Sequence, residues 1–250
     1  MAARKKRIPA KLKHDAIVEA LLEVRFDITT IPEVLFGRLA DFPSWKGFEQ
    51  GRMPAYEIPA FVRQADPNLR YQPVFEFHNA EKTRSVRIGG QMLSYHRLSP
   101  YEGWAKFRPE LYAAIDALFA HAEGLTINRL GLRYINAIRS DLHPISSIKE
   151  LDLTVAIESQ PVAGAVNVNF TTDLSDDTQC TVRVATTEFV QGILPPNSRV
   201  LIDVDVFTKE GFRTSDAQGV KGWVEWAHTM EKEQFFRLLT DATIDAMEEK

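Results

Sequence analysis

Three arginines stand out in residues 128–139, NRLGLRYINAIR, because the rest of that segment has the composition of a buried strand. Side chains alternate between the two faces of a strand, so Arg129, Arg133 and Arg139 share one face. Guanidinium groups on one face can hold carboxylates or phosphates through paired, charge-assisted hydrogen bonds. The segment therefore predicts a binding face for an anion, an RNA phosphate or an acidic protein segment.

One polar residue of the same strand, Asn136, falls on the opposite, apolar face. A buried amide without hydrogen-bond partners costs on the order of 1–3 kcal/mol. We therefore interpret Asn136 as a structural residue that fastens the strand to a neighbouring loop, such as residues 141–144. Gly131 indicates a bulge, or a close approach by another backbone or a ligand.

Other strand-like segments show the same alternation and add Arg183, Asp203 and Asp205 to the candidate binding residues. Three interpretations are open for this set. The first is a solvated sheet face on which opposite charges pair across strands. The second is a concave binding face. The third is a closed barrel of the triphosphate-tunnel type, whose interior would hold phosphates and a metal between the arginines and the two aspartates.

The tunnel interpretation predicts a recognisable first strand. Triphosphate-tunnel enzymes resemble one another in an alternating Glu-x-Glu-x-Lys signature on that strand. This chain has Glu19, Glu23 and Arg25 at the nearest place, so the first acid is displaced and the lysine is replaced. A metal-dependent phosphohydrolase is thus an alternative that the sequence supports only in part.

No motif assigns a reaction to the chain. The six histidines lack metal-ligand spacing, and the single cysteine, Cys180, has no base beside it in sequence. Neither a nucleophile elbow nor a glycine-rich phosphate loop occurs. The sequence therefore predicts no catalytic residue, no metal site and no cofactor.

The amino-terminal segment is basic, and we predict a flexible, solvated tail over residues 1–14. Its cations all precede the first acid, Asp15, and are Arg4, Lys5, Lys6, Arg7, Lys11 and Lys13. The alternative is an arm that binds nucleic acid. The chain shows neither a signal sequence nor an apolar run near the ~20 residues that cross a bilayer. With one cysteine, it is expected to be a cytoplasmic protein without membrane contacts.

The composition is that of a globular protein, with 44% hydrophobic and 26% charged residues and a net charge of −4. Strand-like segments outnumber helical ones and are not separated by regular crossover helices. We therefore predict an α+β fold, in which helices pack on one face of a mostly antiparallel sheet. The sequence is read as one domain over residues 15–250, best divided at His143 into 15–143 and 144–250, two halves of similar size.

The expected elements follow from hydrophobic periodicity and turn residues. Gly89 and Gly90 predict a two-residue hairpin turn that pairs Ile88 with Gln91. The helix after Ser99 is expected to kink or split at Pro109. The other expected strands cover residues 16–26, 56–62, 71–77, 128–139, 151–159, 165–172, 178–189 and 199–207, and the other helices cover 30–40, 223–230 and 235–247.

Four segments in this order resemble a sporadically distributed family of bacterial and archaeal proteins of similar length. They are IVEA at 17–20, GLRYIN at 131–136, LIDVDV at 201–206 and a closing helix with Trp226, His228, Phe235 and Leu239. The family has no assigned activity, so the resemblance carries over no site residues. Its patchy distribution implies a mobile or accessory role, as in defence or toxin–antitoxin modules.

The sequence as a whole favours a non-enzymatic binding or regulatory protein that uses the arginine-bearing sheet face. The expected partner is a protein, with nucleic acid as the alternative. Because the edge of a sheet can pair with another strand, a homodimer is also favoured.

Overall fold

The protein is described by a computed structural model that covers residues 6–162, 164–192 and 194–249. Within these residues, nine strands form a mostly antiparallel sheet, in the order β2-β3-β4-β5-β1-β6-β11-β10-β9, and five helices accompany it. The expected α+β class with a mostly antiparallel sheet is confirmed. In the described residues, no helix is long and apolar enough to cross a membrane.

Strands and helices are numbered separately in the order in which they occur along the chain. The strands are β1 (Ile17–Asp27), β2 (Glu49–Arg52), β3 (Phe75–His78), β4 (Arg84–Gly89), β5 (Met92–Leu98), β6 (Thr126–Arg139), β7 (Ala156–Ile157), β8 (Gln160–Pro161), β9 (Asn167–Asp173), β10 (Thr178–Thr186) and β11 (Ser198–Thr208). The helices are α1 (Pro32–Ala40), α2 (Ala60–Ala65), α3 (Trp104–His121), α4 (Ala217–Arg237) and α5 (Asp241–Met247). Strands β7 and β8 form a separate two-stranded sheet.

Several sequence predictions of local structure were wrong. Residues 56–62 are not a strand, because Pro54 starts a 3₁₀ helix and Pro59 caps α2, and proline suits the start of a helix better than a strand ladder. Of residues 151–159, only Ala156–Ile157 forms a strand. Helix α3 begins at Trp104 and runs through Pro109 without the split that was one of the two expected outcomes, since a proline in the second turn removes a single hydrogen bond.

The two halves of the chain repeat one succession of elements. In the first, the long strand β1 precedes the strands β3, β4 and β5 and the helix α3; in the second, β6 precedes β9, β10, β11 and α4. The strand orders also agree, as β3-β4-β5-β1 and β9-β10-β11-β6. The repeat begins at β6, ahead of the division at His143 that the sequence suggested.

By compactness the chain forms two units, and neither coincides with a half of the sequence. The first unit contains Met1–Val18, Arg133–Val206 and Ala227–Lys250, and the second contains Glu19–Leu132 and Phe207–Trp226. In the second unit, Phe107 of α3 packs against Tyr95 of β5, with 6.2 Å between ring centroids. Helix α3 therefore covers the apolar side of this part of the sheet.

In the first unit, the amino-terminal segment lies against α5. Arg7 bonds Glu248 and Asp245 at 2.7 and 2.6 Å, and Lys13 Nζ donates to the carbonyl of Ala246 at 2.8 Å. Lys6 pairs with Asp152 at 2.8 Å. Residues 1–5 of the basic tail lie outside the described residues, whereas the rest of the tail, from Lys6 to Lys13, is engaged with the carboxyl-terminal acids and backbone.

The hairpin of β4 and β5 closes one residue later than expected. Gly89 pairs with Met92 and Ile88 with Leu93, so the turn residues are Gly90 and Gln91. The predicted pairing of Ile88 with Gln91 was wrong by two residues, which leaves every side chain on its expected face. Gly89 is required for packing at this turn, since an added Cβ would lie 2.5 Å from the carbonyl oxygen of Gln72.

Replacing Gly89 by alanine should lower the free energy of unfolding by about 1–3 kcal/mol, because the backbone at Gln72 would have to shift. Gly90→Ala is the matched control: its Cβ would come no closer than 3.7 Å to Pro32. Urea unfolding monitored by circular dichroism measures both variants. Equal losses at the two positions would contradict the close approach of Gln72.

Candidate functional site

A row of polar side chains crosses the sheet of the second unit. Cross-strand pairing places Glu76 opposite Arg87, Arg87 opposite Ser94, and Ser94 opposite Glu23. Arg129 of β6 continues the row, since its Nη1 donates to Glu23 Oε1 at 2.7 Å. We call these five residues the charge row. Its charges alternate in sign from β3 to β6, with the serine between the two pairs.

Ion pairs fix the side chains of the charge row. Arg87 Nε donates to Glu76 Oε1 at 2.8 Å. Burial tends to raise the pKa of Glu76, but the hydrogen bond and charge of Arg87 outweigh it and hold that pKa below its usual value. Arg25 also donates to Glu23, at 2.8 Å, and stacks on Tyr71 with 4.6 Å to the ring centroid. The side chains of the row are thus held in place by contacts within the chain.

Arg129 has a further contact with an aromatic ring, and its position also explains the glycine two residues later in the sequence. Its guanidinium lies over the ring of Phe207, 5.0 Å from the centroid. A Cβ at Gly131 would lie 2.9 Å from Arg129 Nη1, so the glycine leaves room for this side chain. The sequence predicted a bulge at Gly131, or a close approach by another backbone or a ligand, whereas the group that approaches it is an arginine side chain of the same strand.

In the first unit, Arg133 meets a group of acids. Arg133 Nε and Nη2 donate to Asp203 Oδ1 and Oδ2 at 2.7 and 2.6 Å, a bidentate pair. Asp203 is 6% exposed, and Glu231 of α4 is 3% exposed. Burial raises the pKa of Glu231 well above its usual range, and the charges of Asp205 and Asp203 raise it further. We call Arg133, Asp203, Asp205 and Glu231 the acid cluster.

Glu231 is a residue that the sequence reasoning missed. It lies on the buried stripe of α4 with Val220, Val224 and Ala227, at helical spacing. Its Oε1 has no hydrogen-bond partner among the described residues. The sequence did contain a signal for it, because an acidic residue falls in line with the apolar residues of a predicted helix.

The acid cluster has the chemistry of a buried structural network. In the part of the chain that the structure describes, no group of three or more histidine, cysteine or acidic side chains is placed to hold a metal ion. Cys180 is fully buried, and burial raises the pKa of its thiol, so the reactive thiolate is disfavoured. The arrangement orients Arg133, and burial together with the nearby acids favours the neutral form of Glu231.

The remaining predicted residues bond to separate partners. Arg139 pairs with Asp141 at 2.7 Å, and Arg183 donates to Asn167 Oδ1 at 3.0 Å. Asn136 is buried and donates to the carbonyl oxygen of Ile202 at 3.2 Å. Asn136 is therefore structural, but it ties β6 to β11 and not to the loop at 141–144, because its side chain points along the sheet toward the neighbouring strand.

A second constellation that the sequence did not reveal joins Ser94, His96 and Glu19. Ser94 Oγ lies 2.7 Å from His96 Nε2, and His96 Nδ1 lies 2.7 Å from Glu19 Oε1. The order of hydroxyl, imidazole and carboxylate is that of a nucleophile with its base. Ser94 is only 3% exposed, however, so its hydroxyl does not meet a substrate in this conformation. These contacts join β5 to β1 on the face that carries the charge row.

The pH dependence of stability should report on His96. Burial lowers the pKa of His96 below its usual 6.5, although Glu19 opposes the shift. A depressed histidine pKa gives stability that is present above the unfolded value and lost as pH falls through the folded value. In urea unfolding, we expect wild type to lose more stability between pH 7 and 5 than His96→Gln does. Parallel pH profiles would contradict a neutral His96. Burial also lowers the pKa of His143, but this residue is present in both proteins and so does not contribute to the difference between them.

A polar groove of about 670 Å³ lies on the same unit. Its deepest cation, Arg97, is 5% exposed and donates to Glu110 Oε1 at 3.1 Å, and it also pairs with Glu102. Arg84 reaches Glu110 from the other side at 3.4 Å. The groove is lined by ion pairs that neutralise one another, so it presents no net charge to a ligand.

No protein-family model matches the chain, and no curated protein matches it.

Proposed function

We propose that the protein is a non-enzymatic binding or regulatory module whose charge row recognises a protein partner. The observation that supports this most is the alternation of sign along Glu76, Arg87, Glu23 and Arg129, fixed by ion pairs at 2.7–2.8 Å. A surface of alternating charge selects a partner with the opposite alternation and rejects one out of register. A folded protein surface or strand can supply such a pattern.

The pairing of the arginines favours protein over nucleic acid. Binding to a phosphate backbone draws on cations that release counterions. In this protein Arg129 and Arg133 are already neutralised by Glu23 and Asp203, and Arg7 by Glu248. A phosphate would have to displace carboxylates that are held in place, and the net charge of −4 would oppose it.

We rank the tunnel-type phosphohydrolase below the binding module. That interpretation requires the strands to close around a charged interior. The order of the nine strands has two ends, β2 and β9, which do not pair with each other in the described residues. The arginines also contact separate carboxylates, as Glu23 for Arg129 and Asp203 for Arg133.

The cellular setting of the proposal comes from the sequence. We place the protein in the cytoplasm, consistent with one cysteine that is buried and unpaired in the described residues. The resemblance to a patchily distributed family makes a protein encoded by a neighbouring gene, as in a defence or toxin–antitoxin module, the first partner to test.

The test is affinity capture from the native host with a charge-swapped protein. Glu76→Arg with Arg87→Glu keeps an ion pair but inverts one of the two pairs, so the charges of the row no longer alternate in sign. The matched control is Arg139→Asp with Asp141→Arg, a pair of similar exposure outside the row. Thermal melts first establish that both proteins are folded.

We expect a protein to be captured by wild type and by the control, and to be lost from the row-swapped protein. Capture that is equal for all three would overturn the assignment of the row. Capture that disappears after nuclease treatment would overturn the choice of a protein partner.

A further inference from the structure

Strand β9 is the last strand of the sheet on the side of β10. It pairs with β10 along its whole length, from Asn167 opposite Ala185 to Asp173 opposite Gln179. In the described residues no strand pairs with its other edge. Five of its seven residues are exposed, and the remaining two, Val168 and Phe170, are half-buried.

The register determines which backbone groups of β9 face outward. Thr186 N–H donates to the carbonyl of Val166, and Leu174 N–H to that of Thr178, at 2.9 Å each. In an antiparallel ladder the hydrogen-bonded positions recur at every second residue. The even-numbered residues of β9 therefore bond β10, and the N–H and C=O groups of the odd-numbered residues point away from it: Asn167, Asn169, Thr171 and Asp173.

This edge lacks the devices that usually prevent strand pairing. Exposed edges are normally blunted by lysine, proline or bulges. Strand β9 reads NVNFTTD and contains one charge, Asp173, and no proline. Its polar side chains are ordered by β10: Arg183 holds Asn167 at 3.0 Å, Thr181 holds Thr171 at 2.7 Å, and Gln179 holds Asp173 at 3.0 Å. The strand thus presents an ordered edge.

We propose that β9 pairs antiparallel with β9 of a second copy of this chain, with Phe170 opposite Phe170 of the second copy. In that register, Asn169 lies opposite Thr171, Asn167 opposite Asp173, and all four outward residues form hydrogen-bonded pairs. A two-fold axis through Phe170 makes the strand complementary to itself, as a symmetric dimer requires.

The charges of the edge agree with this occupant. Asp173 of one copy faces Asn167 of the other, which Arg183 of that other copy already holds. Each carboxylate thus approaches a guanidinium across the interface, and no like charges lie opposite each other. A second copy is for this reason a better fit than an unrelated strand, and the assembly leaves the ladder with β10 intact.

Removing one outward N–H group tests the dimer. The chain mass is 28.3 kDa, and sedimentation equilibrium of wild type should give twice that value. Asn169→Pro removes a donor that points away from β10, so it should give a monomer with an unchanged circular dichroism spectrum. Asn169→Thr keeps the donor and should remain a dimer. If the proline variant does not fold, Asn169→Lys, which places a charge in the same ladder, takes its place.

A cysteine at the two-fold axis tests the register. Phe170 would occupy a non-hydrogen-bonded pair, where Cα atoms are about 4.5 Å apart and a disulfide can form. Phe170→Cys should form a covalent dimer under mild oxidation, and Val168→Cys, opposite Thr172 of the other copy, should not. A monomeric wild type at about 100 µM, a dimeric Asn169→Pro variant, or equal cross-linking at both positions would each overturn the proposal.

Discussion

Replacing Arg133 by methionine should lower the free energy of unfolding by about 3 kcal/mol. Loss of one partner from a buried pair typically costs 3–5 kcal/mol, because the other charge stays buried without compensation. The guanidinium is 40% exposed on its side chain and Asp203 only 8%, which places the effect at the lower end of that range. The loss should be amplified by Asp205, a second acid of the same cluster.

Urea unfolding measures this effect as a shift of the midpoint at constant slope. Adding Asp203→Leu to the Arg133→Met protein should restore most of the lost stability, since no charge then remains to be compensated. The control is Arg139→Met, whose partner Asp141 is exposed, and it should change stability by less than about 1 kcal/mol. Equal losses at Arg133 and Arg139 would contradict a buried role for the Asp203 pair.

The opposite sign is expected for Glu231→Gln, which should raise the free energy of unfolding by about 1–2 kcal/mol at pH 8. A carboxyl that is 3% exposed, with one oxygen lacking a hydrogen-bond partner, is costly to ionise beside Asp203 and Asp205. A neutral amide of nearly the same shape removes that cost.

The pH dependence identifies the proton on Glu231. Its folded pKa lies above the ordinary value of 4.5, so its contribution is fully present below 4.5 and is lost as pH rises through the folded value. The advantage of Glu231→Gln should therefore vanish near pH 4 and grow toward pH 8. Glu233→Gln, on the same helix but half-exposed, serves as the control and should show no such trend. A constant difference at all pH values would contradict a buried, protonated carboxyl.

Strong alternation explains why most strands were predictable from the sequence. In β11 the apolar residues Val200, Ile202 and Val204 alternate with Asp203 and Asp205, and both strand and face agree with expectation. Residues 56–62 also carry apolar groups, but their short-range pattern does not separate a strand from a turn of helix. Pro54 and Pro59, which begin the 3₁₀ helix and cap α2, explain why this segment is helical.

Of each ion pair in the candidate site, the arginine was recognisable from the sequence but its pairing with a particular carboxylate was not. The arginines were evident from β6, whereas their partners are distant in sequence: Glu23 lies 106 residues from Arg129, and Asp203 lies 70 from Arg133. Alternation establishes which residues share a face of one strand, but not which strands become neighbours. For the same reason, the contact of His96 with Glu19, 77 residues away, had no signal in the sequence.

The most direct test of the charge row as a protein-binding surface is a titration of the captured partner against three proteins at low salt. These are wild type, the Glu76→Arg/Arg87→Glu swap and the Arg139→Asp/Asp141→Arg control. We expect the row swap to raise Kd by at least ~10-fold, about 1.4 kcal/mol, and the control to leave Kd unchanged. A row swap that binds with the affinity of wild type would contradict a role for the charge row in recognition.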